Sequence, residues 1–229
     1  RQLEPLGFIK FDILGLSTLR MIEGCIERVL KKQGNPSPSF KEIKAFYDEF
    51  LHPDKIDLNN QDIYENVFHE GKWAGIFQFT EKGAQDFAKR AQPTSIIDIA
   101  AITSIYRPGP LSAGVDKQYV AAINDTLSIN YLHPLVEEVT KETYGFLIFQ
   151  EQIALLAYKL GDGITMDEAN LLRKVLTKKG TGKGHETKEA IKEKFLRGCL
   201  DKDISRQEAS ELWATFEYFS GYGFNKSHA

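Results

Sequence analysis

The sequence holds only two cysteines, Cys25 and Cys199, far apart and with no CxxC spacing. That excludes a disulfide-stapled scaffold and a thiolate zinc centre, and it predicts two reduced core thiols in helical, partly apolar segments of a cytosolic protein. No apolar run approaches the length needed to cross a bilayer and no stretch reads as a signal peptide, so a cytoplasmic location is expected. Positive charge is not in excess either. The net charge is −3, which argues against a simple basic nucleic-acid binder. Internal repeats are absent, and strand-like alternation is scarce beyond the first segment. No methionine opens the chain: Arg1-Gln2-Leu3-Glu4-Pro5 leads almost at once into a core-like run, and the last residues read as the start of a helix. An excised piece of a longer polypeptide is expected.

What is present describes an ordinary globular protein. The 229 residues, 42% hydrophobic and 27% charged, suffice for a full core as one large domain or two small ones. Leu19, Ile22, Ile26, Val29 and Leu30 repeat at helical spacing until Gly34. Ser39 and Glu42 form a capping box for a helix to about Leu51, and Thr165 and Glu168 form a second. Another helix is predicted from near Asn60 to Gly71. Gly75-Ile76-Phe77-Gln78-Phe79 reads as extended, with Thr80 capping the next helix. Arg107-Pro108-Gly109-Pro110 breaks whatever precedes it. Further helices are predicted over about 112–124, 135–141, 149–160, 166–178, 187–201 and 205–219. The expected fold is mainly α, with one short strand at the N-terminal end.

That strand is Phe8-Ile9-Lys10-Phe11-Asp12-Ile13-Leu14-Gly15-Leu16. Two positions apart on a strand, Lys10 and Asp12 share a face. A carboxylate able to hold a divalent cation beside an ammonium able to neutralise phosphate suits chemistry on a metal-bound polyphosphate. Read without further context, the pair is an ordinary surface ion pair. A second feature is local charge: from Arg173 to Lys194 eight Lys/Arg stand against three Glu, a footprint for phosphate on an otherwise acidic chain. Over 186–194 the better reading is a solvated helix face with near-neighbour pairs among Lys188, Glu189, Lys192 and Glu193. Arg173, Lys174, Lys178 and Lys179 have no acidic neighbour at helical spacing after Glu168. Lys178-Lys179-Gly180-Thr181-Gly182-Lys183-Gly184 is not a P-loop: Thr177 and Gly184 stand where that motif needs glycine and a hydroxyl residue, and a helix precedes it. It reads as a basic loop near phosphate, or as a plain surface loop.

The strand motif, Gly75-Ile76-Phe77-Gln78, Tyr106-Arg107-Pro108-Gly109-Pro110-Leu111, Thr143-Tyr144-Gly145, Phe149-Gln150-Glu151-Gln152, Leu172-Arg173-Lys174 and the ending Gly221-Tyr222-Gly223-Phe224-Asn225-Lys226-Ser227-His228-Ala229 stand in a fixed order. In that order and spacing the chain resembles the α subunits of bacterial DNA polymerase III, the family C replicative polymerases, from about Leu3 to Ala229. The first and last motifs look more like the Gram-negative type. The resemblance implies a DNA-directed DNA polymerase that transfers a nucleotide from a dNTP to a primer 3′-OH by a two-metal mechanism with Mg²⁺. It implies that residues 1–16 are the end of the palm domain and 17–229 most of the fingers domain. Asp12 would be the third catalytic, metal-binding aspartate, the other two lying upstream of this chain. Lys10, Arg173 and Lys174 would bind the incoming triphosphate; Lys174 stands where the family has a second arginine, so the charge is kept and the bidentate fork is lost. Lys178, Lys179, Asn225, Lys226, Ser227 and His228 would contact nucleotide or DNA. Partners implied are primer-template DNA, dNTP, a sliding clamp and a clamp loader.

The residues carry ordinary roles beside these. His228 reads by itself as a structural histidine. Arg107, held by prolines, reads as an arginine that satisfies nearby carbonyls, and Gln150 and Glu151 as residues that order the core. Tyr144, Phe149, Tyr222 and Phe224 could stack on bases, but read mainly as core. The alternative to a polymerase is a non-catalytic helical nucleic-acid-binding or scaffold domain. A small self-sufficient nucleotide enzyme fares worst, with no P-loop, no dinucleotide-binding glycine fingerprint and no second motif carboxylate. The fragment alone is expected to be inactive.

Overall fold

A computed structural model describes residues 6–9, 11, 13–176 and 183–229, with Lys183 in backbone only. The chain divides into two compact units, Arg1–Leu58 and Asn59–Ala229.

In the first unit the amphipathic period forms α1 (Ser17–Lys32), and the chain leaves it through Gly34 at φ 101°. The Ser39–Glu42 box opens α2 (Phe40–Phe50): the Glu42 amide donates to Ser39 Oγ at 3.4 Å and the Ser39 amide to Glu42 Oε2 at 2.8 Å. Ile26 and Ile43 are buried between the two helices. The segment expected as a strand is irregular at its described positions, with Ile9, Phe11, Ile13 and Leu14 exposed. A strand exists only by pairing its backbone with another, and among the described residues no ladder runs there. Cys25 is exposed on α1 rather than in a core, because the buried stripe runs through Ile26. Cys199 is fully buried, and that burial pushes its thiol up to about 11.

The second unit carries two cores. The first gathers Tyr64, Phe68, Phe79, Phe87, Ile102, Tyr119 and Phe149. Its elements are α3 (Gln61–Ile63), which runs on as a π-helical turn over Tyr64–His69, then α4 (Lys82–Ala91), α5 (Ile96–Ile105), α6 (Pro108–Ser112) and α7 (Val115–Ile123). Helix α5 had no amphipathic signature, since its sequence is apolar nearly all round; it buries Asp98, Ala101, Ile102, Ser104 and Ile105 and leaves Ile96 exposed on the other face. Residues 75–79 are turns, not extended chain, with Gly75 at φ 80° and Gln78 at φ 63°, and α4 starts one residue later than expected, after Glu81. The helix expected over 112–124 starts at Val115, after Gly114 at φ 70°, a conformation that glycine takes without strain, and the short α6, not foreseen, precedes it.

The second core gathers Leu156, Leu160, Leu172, Phe195, Trp213 and Phe216. It is built from α8 (Pro134–Thr140), α9 (Gln150–Leu160), α10 (Met166–Val175), α11 (Lys183–Leu200) and α12 (Arg206–Ser220). The Thr165–Glu168 box opens α10 and an equivalent Ser205–Glu208 box opens α12. Ile148 and Phe149 belong to the first core and Ile153 to the second, so the start of α9 lies where the two meet. Among the described residues the mainly α reading holds, and the only β pairing is a single parallel bridge, Phe149 with Phe224.

Candidate functional site

The site is built where α9 begins. Gln152 is buried with its amide fully used: Oε1 accepts from the amides of Ile148 and Phe149, both at 2.9 Å, and Nε2 donates to Thr143 Oγ1 at 2.7 Å and to the Val139 carbonyl at 3.3 Å. A satisfied buried amide fixes backbone direction, because any other arrangement leaves a polar group unpaired. With Phe149 held extended, the C-terminal segment docks beside it. The Phe224 amide donates to the Ile148 carbonyl at 3.0 Å and the Gln150 amide to the Phe224 carbonyl at 2.9 Å. Gln150 Nε2 adds a bond to the Gly223 carbonyl at 2.9 Å.

Arg107 fastens the same segment from the other side. Its Nε donates to the Ser104 carbonyl at 2.8 Å, Nη2 donates to the Tyr222 carbonyl, and the guanidinium lies 4.8 Å from the Phe224 ring centroid. The carbonyl-binding role read from the sequence is the observed one. Gln150 orders the core, as expected.

Docking of that segment brings distant cations onto one carboxylate. Glu151, in the first turn of α9, accepts through Oε1 from Asn225 Nδ2 at 2.6 Å and from Arg173 Nη1 at 3.3 Å, and through Oε2 from the Lys226 amide at 3.0 Å. Arg173 reaches it from the last turn of α10. Lys226 Nζ is held by both oxygens of Glu142 at 2.6 and 2.7 Å and lies 5.5 Å from the Phe149 ring centroid. The arginine and both carboxylates keep between a quarter and two-fifths of their side chains exposed, at 27% for Arg173 and 37% each for Glu151 and Glu142. A ligand can therefore reach the cluster from solvent.

Of the site residues read from the sequence, Arg173, Asn225 and Lys226 are thus brought together. Lys174, Ser227 and His228 are exposed, and the His228 ring lies 5.6 Å from that of Phe224. Phe149 is fully buried and Tyr144, Tyr222 and Phe224 are half-buried, in line with core roles. Lys10, Asp12, Lys178 and Lys179 lie outside the described residues. Within 186–194, Lys188 pairs chiefly across to Glu217 at 2.9 Å, with Glu189 at 4.0 Å, and Lys194 pairs with Glu168 at 2.6 Å. Much of that basic stretch is balanced by neighbouring helices. Glu142 was not singled out from the sequence, and no local signal could have found it, since its partner lies 84 residues on. Among the described residues no group of three or more His, Cys, Asp or Glu is arranged to hold a metal ion.

One further buried charge supports this geometry. Asp98 accepts from the Thr94 amide at 3.0 Å, Tyr119 at 3.4 Å and Tyr144 at 3.3 Å. Burial, followed by the Asp98 charge, pushes the Tyr144 hydroxyl up to about 12, so it stays a donor. Tyr144, at φ 53°, turns the chain into the run that ends at Phe149.

Residues 19–202 match the family model described as the bacterial DNA polymerase III alpha subunit finger domain. Among curated proteins, the chain is 38% identical over 226 residues to the DNA polymerase III subunit alpha of Rickettsia prowazekii, covering 99% of the chain and 17% of that protein. It is 38% identical over 227 residues to the subunit of the same name from Borreliella burgdorferi, covering 99% of the chain and 18% of the relative. With the Aquifex aeolicus subunit it shares 32% identity over 228 residues, all of the chain and 18% of the relative. The chain spans 17–18% of the length of these relatives.

Proposed function

The chain belongs to the bacterial DNA polymerase III alpha subunit finger-domain family, and on that premise we propose that it is the nucleotide-delivering part of a DNA-directed DNA polymerase. The whole polypeptide transfers a nucleotidyl group from a dNTP to a primer 3′-OH on a template. Residues 1–16 are the end of the palm domain and 17–229 the fingers. The parent protein works in the cytoplasm with primer-template DNA, a sliding clamp and a clamp loader.

The observation that supports this reading best is the meeting of Arg173, Asn225 and Lys226 at Glu151. Three residues singled out by motif resemblance, from motifs more than fifty positions apart, converge on one accessible spot. Arg173 engages Glu151 through Nη1 alone, so its remaining N–H groups suit an incoming triphosphate, which a guanidinium binds through paired donors. Lys174, exposed beside it, adds a point charge; Lys10 is assigned to the triphosphate by the motif resemblance alone. Lys178, Lys179, Ser227 and His228 fit contacts with nucleotide or DNA. These side chains bind and orient; fixing the α-phosphorus in line with the attacking oxygen is what lowers the entropic part of the barrier.

Mg²⁺ belongs to the whole enzyme, where it would stabilise the charge that builds on the transferred phosphoryl group. Asp12 would hold it together with carboxylates outside this sequence. Among the described residues no group of three or more His, Cys, Asp or Glu is arranged to hold a metal ion, and Asp12 lies outside those residues.

The test is Arg173→Ala in the full-length polymerase, read as single-turnover incorporation against dNTP concentration. Losing a charge-assisted phosphate contact should weaken nucleotide affinity about 10- to 150-fold. Arg173→Lys should recover only part of it, because the fork is gone. An unchanged nucleotide dependence removes Arg173 from the triphosphate site.

A further inference from the structure

We propose that Glu151 is a positioning residue: it fixes the Arg173 guanidinium and the Asn225–Lys226 turn as one preorganised unit that grips the triphosphate. The inference rests on reading Arg173 as the phosphate ligand. Neither family resemblance nor spacing assigns Glu151 this task, since Arg173 and Asn225 lie 22 and 74 residues from it.

Two roles for a carboxylate beside a phosphate-binding arginine have to be distinguished. It can mask the cation, holding it until the ligand displaces it, or it can aim the cation while leaving its ligand-facing donors open. Masking calls for a bidentate fork, two parallel N–H···O bonds that occupy both carboxylate oxygens. Glu151 makes no fork. Its Oε2 is taken by the Lys226 amide at 3.0 Å and its Oε1 is shared, with Asn225 Nδ2 at 2.6 Å and Arg173 Nη1 at a long 3.3 Å. The firm bonds are to the turn, and the arginine is touched at one nitrogen. This geometry tethers the guanidinium at one nitrogen and leaves Nη2 and Nε without a hydrogen-bond partner among the described residues.

Glu151 is itself immobilised. It sits in the first turn of α9, next to the buried, fully bonded Gln152 and the docked Gln150. A residue held this firmly can remove rotamer freedom from a long arginine before the ligand arrives, and less entropy is then lost on binding. The same carboxylate ties Lys226 to the site through the backbone, while Glu142 holds the lysine's side chain. Two carboxylates thus hold one cation each at the mouth of the cluster, the lysine through both oxygens of Glu142 and the arginine through one contact to Glu151.

The test uses the full-length polymerase with Glu151→Gln, Arg173→Ala and the double variant, each checked by thermal unfolding. Glutamine is isosteric: its amide oxygen still accepts from the Lys226 amide and its NH2 donates to Asn225 Oδ1 once that side-chain amide flips, so the turn survives while Arg173 loses both its acceptor and the charge that aims it. Glu151→Gln is expected to weaken apparent dNTP affinity about 3- to 10-fold, with the maximal single-turnover rate changed less than about twofold. The double variant should bind dNTP no worse than Arg173→Ala alone, since Glu151 acts through the arginine. Affinity that is unchanged or tighter in Glu151→Gln overturns the proposal, tighter binding marking a mask. Additive losses in the double variant overturn it as well. If Arg173→Ala itself leaves nucleotide affinity unchanged, the triphosphate reading fails and this inference with it; if Arg173→Ala weakens binding and Glu151→Gln does not, only the positioning role fails. Should Glu151→Gln not fold, Glu151→Asp, which keeps the charge one methylene short of its partners, replaces it with the same expected direction and the same overturning result.

Discussion

Arg107 donates to the main-chain carbonyl of Tyr222, 115 residues further along the chain. The same guanidinium bonds the Ser104 carbonyl and lies over the Phe224 ring. This one side chain joins the end of α5 to the segment that brings Asn225 and Lys226 to Glu151. Pro108 makes it possible: the residue before a proline is pushed to extended backbone, and Arg107 sits at φ −143°, ψ 154°.

Tyr222 is also where the first prediction lies. The Gly109 backbone packs so closely on its ring that a Cβ there would come within 2.2 Å of two ring carbons. Gly109→Ala must therefore displace the ring, at a cost of about 1–3 kcal/mol. Arg107→Ala should cost a similar amount, about 1.5–3 kcal/mol, by leaving two carbonyls without their charged donor. Both should lower the denaturation midpoint and loosen residues 222–228, measured as faster amide exchange at Phe224. Exchange at Phe224 unchanged in Gly109→Ala would show that the ring yields freely.

A second expectation concerns acid. The side-chain bond from Lys194, with the Thr165 amide next, holds the Glu168 carboxyl below its ordinary value of 4.5. A depressed folded-state value means that this carboxylate stabilises the fold above about pH 4.5 and that the contribution disappears as pH falls through the lower folded value. The pair is partly exposed, so the effect is small, below about 1 kcal/mol. Glu168→Gln should flatten the acid limb of the stability–pH curve and lower the stability plateau above pH 5 slightly. Parallel curves for the two proteins below pH 5 would contradict it.

The isolated chain, in a primer-extension assay with Mg²⁺, should incorporate nothing, because a two-metal centre needs more carboxylates than Asp12. Template-directed incorporation by the purified chain would refute this.

Asp12 separates the polymerase reading from the ordinary one most sharply. A surface ion pair with Lys10 would contribute at most about 1 kcal/mol, and its loss would leave activity almost intact. A carboxylate at a two-metal centre carries several kcal/mol of transition-state stabilisation. In the full-length polymerase, Asp12→Asn should preserve folding and primer-template binding while lowering single-turnover incorporation roughly a thousandfold or more. A loss below about tenfold returns Asp12 to the surface-pair reading.

The sequence by itself determined the elements whose signals are local. The Ser39–Glu42 and Thr165–Glu168 boxes start their helices where the residue types said they would, because a cap is a contact between positions three apart. The amphipathic stripe of α1, the break before Pro108 and the carbonyl-binding role of Arg107 were legible for the same reason. So were the motifs that carry the family resemblance.

Tertiary structure decided the rest. Helix α5 has no polar face to give a period, so only its packing against a core shows which side is buried. The expected strand over 8–16 is absent at its described positions, because a strand is a property of a pair and not of one segment. Cys25 and Ile26 are neighbours in sequence, yet helical rotation exposes one and buries the other. The pairing of Glu142 with Lys226, and of Glu151 with both Arg173 and Asn225, joins residues 22 to 84 positions apart. No periodicity spans such distances; two cores meeting at the start of α9, and a C-terminal segment bridged to Phe149, bring those charges together.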